Sequence, residues 1–88
     1  MRTLAVRVTS VSLRAEFTVE PFVPGAPGPH VLAAVDAATA RGLEVEFGPF
    51  GSTAEGDDSV VVPAVEAAVR AALDAGATRV SVQLSRID

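Results

Sequence analysis

The stretch Gly48-Pro49-Phe50-Gly51-Ser52-Thr53-Ala54-Glu55-Gly56-Asp57-Asp58 gathers three glycines, a proline, two hydroxyls and three carboxylates in the middle of a chain otherwise rich in Ala, Val and Leu. Glycine is used where a backbone must take positive φ or let another group come close. Residues two apart on an extended segment point to the same side, so Thr53 and Glu55 act as a pair. A hydroxyl beside a carboxylate accepts hydrogen bonds from amine donors. The same two residues would equally serve as the polar side of an edge strand behind a turn.

Other chemistries fit the residues less well. His30 is the only imidazole, and no motif sets a Ser or Cys nucleophile beside it. Next to Pro29 at the start of a helix it reads as a surface residue rather than a general base. Glu55, Asp57 and Asp58 offer oxygen ligands for a hard cation but lack EF-hand spacing, and helix capping explains the aspartates more simply. Gly48, Gly51 and Gly56 match neither the dinucleotide fingerprint nor the P-loop, since no Gly-Lys-Ser/Thr follows. No catalytic residue, metal site or cofactor is therefore expected.

The elements that position this stretch follow from periodicity. Leu4, Val6 and Val8 alternate with polar or small residues; then the phase changes, and Val11, Leu13, Ala15, Phe17 and Val19 form the apolar set of a strand whose other face is Ser12, Arg14, Glu16, Thr18 and Glu20. A bulge or bend near Thr9-Ser10 accounts for the slip. The proline-rich segment 21–29 ends this strand and opens a helix over roughly 29–41, with Pro29 in its first turn and Gly42 as its left-handed cap. Leu43, Val45 and Phe47 alternate with Glu44, Glu46 and Gly48 as a second strand. Gly48 to Gly51 turn the chain, and Ser52 to Glu55 form a short third strand. Asp57, Asp58 or Ser59 caps a second helix, with Pro63 in its first turn and Gly76 closing it. Val80, Val82 and Leu84 alternate with Ser81, Gln83 and Ser85 as a fourth strand.

An internal repeat organises these parts. Ala33-Ala34-Val35-x-Ala37-Ala38-x-x-x-Gly42 recurs as Ala67-Ala68-Val69-x-Ala71-Ala72-x-x-x-Gly76, each copy followed by an alternating strand. Two copies of strand, helix, strand predict an α+β, ferredoxin-like βαββαβ sandwich, with a four-stranded antiparallel sheet and both helices on one face. Residues 11–88 are read as this single domain, with 1–10 as an N-terminal extension or edge strand. The uncovered sheet face then carries Glu16, Thr18, Glu20 and Phe22 from one strand and Glu44, Glu46 and Phe50 from another, joined by Ser81 and Gln83. Carboxylates with aromatics suit a cationic or amine-bearing small molecule. A solvated surface or a wet subunit interface is the alternative reading of that face.

Composition bounds the partners. The chain has 88 residues, no Lys, seven Arg against eleven acidic residues, and a net charge of −4. No basic run exists to neutralise phosphates, which argues against nucleic acid. No apolar run approaches the ~18 residues of a membrane helix, and no secretory signal or disulfide framework is evident. A cytoplasmic protein is expected, and at this size a partner subunit would help stabilise the core.

Over nearly the whole chain after Ser10, the residues resemble the thiamine-binding protein family, the YkoF-like group. The resemblance rests on Glu16-Phe17-x-Val19-x-Pro21, on Gly42-Leu43-x-x-Glu46-x-Gly48-Pro49-x-Gly51-x-Thr53-x-Glu55-Gly56-Asp57, and on Gly76-Ala77-x-Arg79-Val80. It implies a ferredoxin-like subunit that pairs into homodimers or homotetramers and binds thiamine or its hydroxymethylpyrimidine part without catalysis. It also implies Thr53 and Glu55 as pocket residues with Phe17 and Pro21 beside them. The expected ligand-binding set is thus Thr53, Glu55, Glu16, Phe17, Phe50, Ser52 and Glu46. The competing expectation is a structural or interaction module whose open sheet face is a subunit or partner interface.

Overall fold

A computed structural model describes residues 11–21, 28–48 and 51–87. Its elements run β1 (Ser12–Glu20), α1 (Pro29–Ala40), β2 (Glu46–Phe47), β3 (Ser52–Asp57), α2 (Asp58–Asp74) and β4 (Arg79–Arg86). The sheet order is β2-β3-β1-β4 with every pair antiparallel, consistent with the ferredoxin-like plan. The expected bend at Thr9-Ser10 and the segment 1–10 lie outside the described residues.

The apolar side of β1 faces the helices: Ala15, Phe17 and Val19 are buried with Val31, Ala34 and Ala38 of α1 and Val61, Ala64, Val65, Ala68 and Ala72 of α2. The repeat explains how the two helices meet. Ala34 and Ala38 match Ala68 and Ala72 in the two copies, and all four are at most 3% exposed. Side chains this small let two helix backbones approach closely above a thin sheet.

Both helices end in the same way. Gly42 and Gly76 take positive φ, at 90° and 105°. Gly42 N–H donates to Thr39 O at 2.9 Å and Leu43 N–H to Ala38 O at 3.2 Å; Gly76 N–H donates to Leu73 O at 3.2 Å and Ala77 N–H to Ala72 O at 2.9 Å. These paired bonds are Schellman motifs, which satisfy the last carbonyls of each helix and need a residue that tolerates the left-handed region.

Three of the four expected strands are full length. The second, expected over Leu43 to Gly48, is reduced to two residues at the sheet edge. The cause is the exit from α1: Leu43 is spent on the helix cap and buries its side chain to 2% exposure, so the chain reaches β3 only at Glu46. Pro63 is also corrected. It lies inside α2 rather than in the first turn, because the helix starts early at Asp58. Asp57 sets that start, its carboxylate accepting from Ser59 N–H at 3.0 Å and also from the Ser59 hydroxyl. A carboxylate at this position satisfies an orphan donor and complements the helix dipole.

Candidate functional site on the open sheet face

Cross-strand register assembles the site. On the face turned away from the helices, Glu46 of β2 pairs with Thr53 of β3, Thr53 with Glu16 of β1, and Glu16 with Gln83 of β4. One row of four polar side chains thus crosses the sheet from edge to edge. Directly opposed residues in adjacent strands hold their Cβ atoms ~5 Å apart, close enough for neighbours in the row to grip one small molecule. The row on one side contains Glu55, Arg14 and Ser85, and the row on the other contains Thr18 and Ser81.

The row borders an open depression of about 580 Å³, lined by Glu16, Thr18, Thr53, Ser81, Gln83 and the turn glycines Gly48 and Gly51, among others. That volume falls inside the ~300–1,000 Å³ range of small-molecule sites. A second depression, about 610 Å³, lies between Glu44, Glu46, Thr53 and Glu55. Thr53 borders both.

Gly48 and Gly51 border the first depression. Gly48 N–H donates to Gly51 O at 2.6 Å, closing the bend before β3. A Cβ on Gly51 would come within 2.9 Å of Thr18 Cγ2 and 3.1 Å of Phe17 O. Gly51 therefore brings its own backbone directly against β1, a close approach that a side chain there would crowd.

The expected site residues divide into three groups. Thr53, Glu16 and Glu46 are brought together. Glu55 lies one row away and is engaged: Arg14 Nε donates to its Oε2 at 2.8 Å, and Arg14 Nη2 lies 2.8 Å from the same oxygen. Phe17 and Ser52 point the other way, each 4% exposed on the core side of the sheet, so they border the depression through their main chains. Phe50 and Phe22 lie outside the described residues.

Arg14 is the neighbour that the sequence reading did not single out. Its even number places it on the Glu16 face of β1, which was the available signal, but its pairing depends on a register with β3 that no local pattern encodes. His30 serves chain path: its Nε2 donates to Pro21 O at 2.6 Å, tying the start of α1 to the end of β1. Among the described residues, no group of three or more His, Cys, Asp or Glu is placed to hold a metal ion. No described helix is long and apolar enough to cross a membrane.

Comparison with known proteins places this geometry. A domain of unknown function from Bacillus cereus, DUF77, is 30% identical, with 90% of this chain and 77% of that one covered at a TM-score of 0.54. A hypothetical protein from Methanocaldococcus jannascii shares the fold at 23% identity and a TM-score of 0.60, over 88% of this chain and 79% of its own. A Thermotoga maritima protein provisionally assigned to thiamine biosynthesis or salvage shares it at 22% identity and a TM-score of 0.50, over 88% of this chain and 83% of its own. No curated protein matches the chain. The family model described as thiamine-binding protein matches residues 15–88, from the middle of β1 through all of β4, and the chain belongs to that family.

Proposed function

We propose that the protein binds thiamine, or its hydroxymethylpyrimidine part, on the open sheet face of an oligomer and performs no chemistry on it. The row Glu46–Thr53–Glu16–Gln83 beside the 580 Å³ depression supports this reading most directly, in a chain of the thiamine-binding family. An aminopyrimidine presents an amine donor and ring-nitrogen acceptors. Glu16 or Glu46 takes the amine, while Thr53 and the Gln83 amide can both donate and accept. The thiazolium ring is a cation, matched by the two carboxylates of the row.

Assembly finds support at the other edge. Among the described strands β4, eight residues long, stands at the sheet edge, and Val82 and Leu84 are 39% and 44% exposed. A strand edge with exposed apolar side chains is a surface that proteins commonly cover with a partner.

Isothermal titration calorimetry with thiamine, its phosphates and hydroxymethylpyrimidine tests the reading. Saturable heat from one of them is the expected result. No heat from any, at millimolar ligand, overturns it in favour of an interaction module, for which light scattering would show assembly without ligand.

A further inference from the structure

We infer that the site selects an unphosphorylated, cationic ligand over its phosphorylated forms, and that Glu55 sets this selectivity by holding Arg14 away from the depression. The inference rests on the binding reading above and adds the charge class of the ligand.

The charges on the open face carry the argument. Glu16 and Glu46 stand in the central row, Glu44 and Glu55 border the adjoining depression, and Arg14, in the next row, is in contact with Glu55. Arg79 lies three rows from Arg14 along β1, opposite Glu20, with its Nε 4.0 Å from that carboxylate. A ligand phosphate entering beside Glu16 would meet like charge, which disfavours it. A thiazolium would meet opposite charge.

Among the described residues, Arg14 is the cation on this face placed to reverse this balance. It lies two residues from Glu16 on the same face of β1, ~7 Å along the strand, within reach of its own side chain. Its guanidinium is instead held by Glu55 Oε2, through Nε and Nη2 both at 2.8 Å. The pair is half exposed, at 44% and 49%, so it biases the position of Arg14 rather than locking it. Removing the Glu55 charge both frees the guanidinium and lowers the negative field at the row. Each change favours a phosphate. Glu55 is thus a positioning residue for specificity, acting through Arg14.

The test measures dissociation constants for thiamine and thiamine diphosphate by calorimetry in wild type, Glu55→Gln and the double variant Arg14→Gln/Glu55→Gln, with circular dichroism to confirm folding. The wild type is expected to bind thiamine about tenfold more tightly than the diphosphate. Glu55→Gln should narrow that ratio by about three- to fivefold, the upper part of the range of an exposed charge interaction. The double variant removes one charge of each sign and should return the ratio toward wild type, which a merely structural role for the ion pair would not produce. Wild-type binding of the diphosphate as tight as that of thiamine overturns the inference while leaving the binding reading intact. So does a Glu55→Gln ratio within about twofold of wild type, or a double variant that keeps the ratio of the single one. Binding of neither ligand overturns both.

Discussion

Glu16 and Thr53 are cross-strand partners on the face of the sheet that the helices leave open, while their neighbours Phe17 and Ser52, also cross-strand partners, are buried on the opposite face. A single step along either strand therefore separates a group available to a ligand from one committed to the core. Mutations one residue apart should report different properties.

On the open side, Glu16→Gln should weaken thiamine binding by about tenfold or more, the scale of a hydrogen bond to a charged group at ~1.5–3 kcal/mol. Thr53→Val keeps the shape and removes a neutral hydrogen bond worth ~1 kcal/mol, a loss of about fivefold. Calorimetry measures both, and urea denaturation should find stability little changed.

On the core side, Phe17→Ala should cost about 3–5 kcal/mol of stability, because it empties a fully packed position. Loss of that size is a large part of what a domain this small possesses, so Phe17→Leu is the informative companion. It should lower the urea midpoint modestly while preserving ligand affinity. A drop in affinity without a drop in stability would move Phe17 into the site.

Two glycines should likewise part company. At Gly76 no atom lies within 4 Å of an added Cβ but φ is 105°, so Gly76→Ala should cost ~1 kcal/mol of stability through backbone strain alone and leave binding unchanged. At Gly51 the added Cβ would strike Thr18 Cγ2 and Phe17 O, lifting the turn off β1. Gly51→Ala should weaken binding more than it lowers the melting temperature.

Asp57 joins the site strand to α2, ending β3 and capping the helix through Ser59. Asp57→Ala should destabilise the fold by ~1 kcal/mol, read from the denaturant midpoint. Asp57→Asn, which keeps the acceptor oxygen, should recover most of the loss.

Much of this arrangement is legible in the chain. The odd-numbered apolar set of β1 already assigns Phe17 to the core and Glu16 to the other face, since side chains alternate with a period of two wherever a strand pleats. The repeated alanines with Gly42 and Gly76 mark both helices and their caps, because a left-handed cap and a small-residue contact are local demands on local residues. The cap of α2 is narrowed to Asp57, Asp58 or Ser59 for the same reason, and the fold selects Asp57. Length and alternation, however, mislead at residues 43–45, whose pattern is that of a strand. Leu43 is drawn into the core as the last contact of α1, a tertiary preference that overrides strand propensity. What only the folded chain decides is register. Glu46, Thr53, Glu16 and Gln83 come from four segments up to 67 positions apart, and Arg14 meets Glu55 across 41. Their alignment follows from the lengths of the turn and helices between them and from the packing of α1 on α2. Those quantities are set by the whole core at once, so no local pattern carries them.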